Sequence, residues 1–256
     1  MAELYGTHDI SVDGDTVTKR FVDGKEGGAA REWRALTLLH EHAPGLAPRP
    51  IAFEGGSVVM ERLHGEPVRG RPDAATRAEG MAGALTRLHT AVPREVLDRE
   101  PQRPWQVADL SAQVLEWCAA WPGRGGRYDE AVKEGRRWLE QWRPDGTGVT
   151  PVFGAGDGNV ANFLWDGTTI RLVDFEDSGR SDRAFELAET VEHVSSWVHG
   201  EVDVMPHVEL TAAEARRFRE CSRLQALTWF FLLSGEGPRN PPGTFLRQAE
   251  RVLARL

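Results

Sequence analysis

Apolar positions near the start of the chain alternate with polar ones, the pattern of strands that bury one face. Residues Asp9–Val12 and Thr16–Val22 flank Asp13-Gly14, a pair suited to a tight hairpin because its turn positions favour positive φ. On the second of these strands Val17, Lys19 and Phe21 share a face. A loop over residues 23–28 (DGKEGG) leads to a predicted helix, Ala29–His42, with Trp33, Leu36 and Leu39 on one stripe. Pro48 and Pro50 end that helix. Ile51–Phe53 and Ser57–Glu61 then predict a second hairpin around Gly55-Gly56.

From residue 72 the spacing turns helical. Ala74–Thr90, behind Asp73 as cap, puts Met81, Leu85 and Leu88 on its apolar face, and His89 beside the negative end of the helix dipole. Val107–Trp121 aligns Leu110, Val114 and Cys118; Tyr128–Trp142 aligns Ala131, Val132, Leu139 and two tryptophans that read as core. A loop from Pro151 runs to the strand Phe163–Trp165, the pair Asp166-Gly167 and a strand Ile170–Phe175, a third hairpin. Ala184–Val198 predicts an acid-rich helix, Ala212–Leu233 an apolar packing helix and Thr244–Leu256 an amphipathic one. The prolines and glycines of Gly235–Gly243 predict irregular chain between the last two. The class is α+β, divided into a β-rich part with one helix, residues 1–62, and a mostly helical part, residues 63–256.

Composition narrows the partners. The 256 residues carry a net charge of −8, which disfavours a nucleic-acid partner. Cys118 and Cys221 are too few for a disulfide framework or a zinc site, and a reducing cytoplasm is the simplest setting. The first residues lack the pattern of a signal peptide. The run Leu224–Leu233 falls short of the ~20 residues a membrane span needs, so no membrane partner is expected. His40 and His42, two apart on a helix, do not face each other and make no metal site.

The chemistry gathers around the third hairpin. A hairpin brings its outer ends together, so Asp157 and Asn162, before it, converge with Asp174, beyond it. Two carboxylates and an amide oxygen suit Mg²⁺, which takes one or two carboxylates and fills its shell with water and phosphate. Asp157-x-x-x-x-Asn162, a hairpin, then Asp174-Phe175-Glu176 is also the order of a kinase catalytic loop and metal loop. Each piece alone has a plain reading as a turn or cap residue; the joint spacing is what carries the signal.

These residues resemble the aminoglycoside phosphotransferase and choline kinase-like family, whose pattern is His-Gly-Asp-x4-Asn followed by an Asp-Phe-Glu metal loop. Gly156, Asp157 and Asn162 fit, whereas Ala155 stands where the family has histidine. The resemblance implies a two-lobed protein-kinase-like fold and ATP-dependent phosphorylation of a small-molecule hydroxyl. Asp157 would then be the base, and Asn162 and Asp174 the Mg²⁺ ligands. It implies that Lys19, held by Glu32, contacts the nucleotide phosphates. Lys19 on an edge strand with its amine in water, and Glu32 solvated in the first turn of its helix, are the plainer readings. The segment Met60, Glu61 to Leu63 is expected to be the hinge at the adenine edge. No G-x-x-x-x-G-K-[ST] or G-x-G-x-x-G precedes Lys19, and Gly6-Thr7-His8 is the one candidate for a loop over the phosphates.

For the acceptor, Glu176, Asp177, Glu189 and Glu192 with Trp197 suggest a cation held by carboxylates and an aromatic face, an aminoglycoside antibiotic or a metabolic amino-alcohol such as choline. A solvated acidic helix explains Glu189 and Glu192 equally well. A protein kinase is disfavoured by the missing glycine loop. A nucleotide-binding pseudokinase rests on Ala155 and the short small lobe. The sequence leaves the oligomeric state open.

Overall fold

The computed structural model describes residues 8–21, 26–144, 146–235 and 240–256. Gly6 and Thr7 of the candidate phosphate loop, and most of the loop after Phe21, lie outside the described residues.

Strands β1 (His8–Asp13) and β2 (Thr16–Phe21) pair antiparallel with Asp13 opposite Thr16. The hairpin forms as predicted, but its turn is Gly14-Asp15, where Gly14 takes φ +55° at no Cβ cost. Helix α1 (Glu26–His42) follows, burying Leu36 and Leu39 and stacking Trp33 on Phe53 at 5.9 Å. Strands β3 (Pro50–Glu54) and β4 (Ser57–Glu61) complete a four-stranded sheet ordered β1-β2-β4-β3. Pro50 sits on the edge strand, where its missing N–H breaks no central ladder.

Beyond residues 62–65 comes the short strand β5 (Glu66–Pro67), which the sequence did not signal. A 3₁₀ turn, Ala74–Arg77, leads into α2 (Ala78–Ala91). Asp73 does not cap it. Its carboxylate is bound by Arg71 and Arg77 at 2.9 and 2.6 Å, which hold its pKa down at about 2. Helices α3 (Arg94–Leu97), α4 (Val107–Ala119) and α5 (Gly126–Gln141) follow. Trp138 and Trp142 stack at 5.0 Å against the core of the helical part, as packing residues.

Strands β6 (Pro151–Gly154), β7 (Phe163–Trp165), β8 (Ile170–Leu172) and β9 (Gly179–Asp182) form two small sheets, β5-β7-β8 and β6-β9. The predicted hairpin is β7–β8, with two corrections. Its loop is four residues long, because Asp166 Oδ1 accepts the N–H groups of Thr168 and Thr169 at 2.9 and 2.8 Å. Its second strand stops at Leu172, before the backbone turns left-handed at Asp174. The Pro151–Gly154 segment, read as loop, is a strand because β9 returns beyond the hairpin to pair with it.

Helix α6 (Arg183–Glu192) is shorter than expected. His193 leaves helical conformation, and its ring accepts the N–H of Ser195 to cap a separate 3₁₀ turn, Val194–Ser196. Helices α7 (Ala212–Leu232), opened by a Thr211/Glu214 capping box, and α8 (Thr244–Arg255) close the helical part. One apolar cluster joins the sheet, α1 and α2 to the β7–β8 region; a second joins α4 to α8.

His89 does lie in the last turn of α2, as expected, but it does not face solvent there. Its ring is buried, which pushes its pKa down to about 4 and keeps it neutral. Because the folded value lies below the ordinary 6.5, the unfolded chain binds the extra proton first. The stability this provides is complete above pH 6.5 and is lost as pH falls towards 4. At pH 5 the loss is about 2 kcal/mol, or roughly 4–8 °C in Tm for a chain of this size. Thermal melts at pH 7 and pH 5 check this: His89→Leu is expected to show a smaller drop than the parent, and an equal drop assigns the acid sensitivity elsewhere.

Candidate active site

Directly opposed residues of paired strands share a face. Ile10 lies opposite Lys19, Val12 opposite Val17, and Val17 opposite Met60. One face of the sheet therefore carries Ile10, Val12, Val17 and Met60 beside Lys19. Ile10 and Val12 are 48% and 54% exposed, so the β1 part of this apolar surface is open, while Met60 is buried in the core. Lys19 itself is buried, as its position between Val17 and Phe21 required, and it has the partner it needs. Its Nζ lies 2.9 Å from Glu32 Oε2 on α1, 2.7 Å from Asp174 Oδ1 and 3.3 Å from Glu176 Oε2. Burial alone would lower the lysine's pKa; the carboxylates of Glu32 and Asp174 outweigh it and hold the amine charged. Glu32, itself buried, also accepts the N–H of Phe175 at 3.2 Å, so the α1 glutamate ties β2 to the residue after Asp174.

Lys19 and Glu32 are therefore expected to act as one unit. Alanine at either is expected to weaken productive nucleotide use, and the double variant to lose less than the two losses combined. Contacting charges show coupling of about 0.5–3 kcal/mol in such cycles. ATP-dependent turnover of the four proteins measures it; strictly additive losses separate the pair.

The loop that carries Asp157 lies between β6 and β7, and tight packing shapes it. Gly156 takes φ +82°, and a Cβ there would stand 2.1 Å from the Asp177 carbonyl oxygen; one at Gly158 would stand 2.5 Å from that of Glu189. The glycine-rich run Gly154–Gly158 thus serves close backbone approach. Asp157 follows with both oxygens occupied: Oδ1 accepts Asn159 N–H and Oδ2 accepts Asn162 Nδ2, each at 3.0 Å. Burial, reinforced by the charge of Asp174, raises its pKa to about 6. Val173 N–H donates to Asn162 O at 3.0 Å, so the outer ends of the hairpin do meet. Asp174 takes φ +70°, unusual for a residue with a side chain and characteristic of functional turns.

The donor set fits a hard cation. Asn162 spends its amide nitrogen on Asp157, leaving the amide oxygen, and the Asp174 side chain is more than a third exposed. No cluster of three or more His, Cys, Asp or Glu side chains that could hold a metal occurs among the described residues. A site completed by phosphate and water needs only one or two protein carboxylates.

A buried clamp absent from the sequence reading holds the loop from behind. Arg103 donates to Gly156 O at 3.0 Å, to Glu186 Oε1 at 2.6 Å and to both oxygens of Glu189. Glu186 in turn accepts Gly156 N–H at 3.3 Å and the hydroxyl of Ser181 at 2.5 Å. Both backbone groups of the residue before Asp157 are fixed by one ion-paired cluster. Nothing local in the sequence ties Arg103 to positions 53 to 86 residues further on.

The expected acceptor residues divide. Glu176 and Asp177 lie close to the Lys19–Asp174 contact, but Glu176 turns back to Lys19 and His8, and Asp177 faces Arg31 at 3.6 Å. Glu189, Glu192 and Trp197 do not form a cation site. Glu189 is taken by Arg103. Glu192 is fully buried and paired with Arg251 and Arg255 at 2.9 and 2.6 Å. Trp197 is buried beneath Arg247 and Arg251, at 5.0 and 5.1 Å. The acids of α6 are neither solvated nor open to a ligand, because internal arginines already neutralise them. In the segment expected to be the hinge, Glu61 N–H bonds Arg49 O and Arg62 N–H bonds Asp15 O, at 2.9 and 2.8 Å.

A lysine–glutamate pair under a sheet, facing an Asp, Asn and Asp set on a hairpin, is how two-lobed kinases divide phosphate and metal binding; the protein is of that protein-kinase-like class. Over residues 9–220 its sequence matches the phosphotransferase enzyme family (APH), and the chain belongs to it. Among curated proteins it is 27% identical over 189 residues to the thiamine kinase of Salmonella typhimurium, covering 74% of this chain and 58% of that protein. The chain thus spans under two thirds of the length of those relatives. Among solved structures it resembles the choline kinase LicA from Streptococcus pneumoniae, with TM-score 0.61, 16% identity and coverage of 100% and 91%. It also resembles the gentamicin–APH(2")-IIa complex, with TM-score 0.63, 12% identity and coverage of 96% and 87%.

Proposed function

We propose that the protein transfers the γ-phosphoryl group of ATP to a hydroxyl of a small cationic molecule, in the cytoplasm, with the nucleotide held between a lobe of residues 1–62 and one of 63–256. The observation that carries this reading is the meeting at Lys19. One buried amine touches the α1 glutamate and the Asp174 carboxylate of the opposite wall, so phosphate and metal sites are built as one.

Ile10, Val12, Val17 and Met60 offer an apolar ceiling to a base. The hinge contact falls to Leu63, because Glu61 and Arg62 spend their N–H groups inside the sheet lobe. Lys19 neutralises phosphate charge, with Glu32 holding it. Asn162 and Asp174 would hold Mg²⁺, which when bound offsets charge on the phosphates. Asp157 accepts the hydroxyl proton as the acceptor oxygen bonds to phosphorus; the bond from phosphorus to the bridging oxygen breaks, and ADP leaves with that electron pair. Positioning and charge do most of this work. The intact Asp157, Asn162 and Asp174 count against a pseudokinase.

Asp157, Asp174, Glu176 and Asp177 gather around Lys19 and Arg31, an excess of carboxylates that favours a cationic acceptor. The thiamine kinase relatives point the same way, since thiamine joins a permanent cation to a primary hydroxyl. They favour a metabolic alcohol over an antibiotic. The test is ADP release with Mg·ATP and, in turn, thiamine, choline, ethanolamine, gentamicin and streptomycin, beside a neutral polyol. Magnesium-dependent turnover of a cationic alcohol, thiamine first, is expected. Preference for the neutral polyol overturns the acceptor class, and no ADP release with any acceptor or with water overturns the phosphotransferase itself.

A further inference from the structure

The catalytic loop lacks a histidine at position 155, yet an imidazole stands beside Asp157. It belongs to His193, the residue that ends α6. Its Nε2 lies 3.6 Å from Asp157 Oδ1. The other ring nitrogen fixes the tautomer. Nδ1 accepts the Ser195 N–H at 3.1 Å and stands 2.7 Å from Ser195 Oγ, so the proton of the neutral ring is on Nε2, the edge turned to Asp157. Burial keeps the ring neutral, its pKa pushed down to about 3. Ser195 Oγ also accepts the N–H of Val160 at 2.9 Å, inside the catalytic loop. Trp229 packs edge-on against the imidazole at 4.3 Å and leaves it little freedom to swing. The His193–Ser195 pair therefore binds the loop at Val160 and brings Nε2 up to Asp157. The 3.6 Å approach is longer than a hydrogen bond, as catalytic contacts often are before substrates settle them.

We propose that His193 is a positioning residue for Asp157: its Nε2–H fixes the rotation of the carboxylate towards the acceptor hydroxyl, supplying from α6 the imidazole that position 155 lacks. This rests on Asp157 as the base.

Two substitutions split the ring's two functions. His193→Gln keeps an N–H near the place of Nε2 and gives up the acceptor for Ser195. His193→Asn keeps an acceptor for Ser195, as a good cap residue, and gives up the donor towards Asp157. Both are assayed for ADP release with Mg·ATP and the acceptors named above, or with water, alongside thermal melts. With His193→Gln, kcat is expected within about threefold of the parent. With His193→Asn it falls about tenfold, the scale of a misplaced catalytic group, while KM for ATP holds in both. Tm falls more for His193→Gln. A rate that follows Tm, with His193→Asn at parental kcat, leaves His193 a cap alone and overturns the proposal; so do equal losses in both. Asp157→Asn run in parallel separates the premises: at parental rate the base assignment fails, whereas a slow Asp157→Asn beside a fast His193→Asn removes only the positioning role.

Discussion

Asp157→Asn is expected to lower kcat at least about 100-fold while keeping the fold and nucleotide binding. The amide has nearly the shape of the carboxylate, so packing is preserved. What is lost is the acceptor of a proton. The oxygens of Asp157 accept from Asn159 N–H and Asn162 Nδ2; an amide can satisfy one of these and must turn its NH₂ towards the other. Against that local cost stands a gain. Asp157 is a partly exposed carboxylate raised to about pKa 6 by desolvation and by Asp174, so removing its charge relieves a repulsion. Above pH 6 the variant is therefore expected to melt at or above the parental temperature, the usual opposition of stability and activity at a functional site. Turnover, ATP affinity and Tm measured together check the pattern. Near-parental turnover removes Asp157 from the base role.

The second large effect is expected at a residue remote from the transferred group. Arg103→Leu leaves Glu186 and part of Glu189 buried without their cation. Breaking a buried ion pair from one side costs about 3–5 kcal/mol, because the remaining charge stays desolvated. For a chain of this size that is roughly 6–20 °C in Tm. The same change frees the carbonyl of Gly156, so the surviving folded protein should also turn over more slowly. Arg103→Lys separates charge from shape. It keeps the positive charge but loses the fork that spans Gly156, Glu186 and Glu189, and is expected to recover more of the Tm than of kcat. Melts and kinetics of both variants decide this; a parental Tm in Arg103→Leu removes the clamp.

Some of this was legible along the chain. The hairpins, the stripes of α1, α2, α4 and α5, and the apolar run of α7 all follow from periodicity and turn chemistry within a few residues. The Asp157, Asn162 and Asp174 set was legible because a hairpin folds its own ends together. The Lys19–Glu32 pair was legible through the family resemblance; on the residues alone, a lysine with its amine in water was the plainer reading, and the central place of β2 in the sheet overturns it.

Tertiary structure decided the rest. Glu189, Glu192 and Trp197 show the limit: their spacing on the sequence suits a cation site, but arginines from before α4 and from α8 reach them first. Strand β6 looked like loop because its partner arrives beyond the hairpin. The extended helix after Ala184 stopped at His193 because a ring nitrogen found Ser195. Local pattern determines which face of an element is apolar and where the chain turns. Which buried charges meet across dozens of residues depends on how the elements dock, and the grip of Arg103 and His193 on the loop around Asp157 exists only after they do.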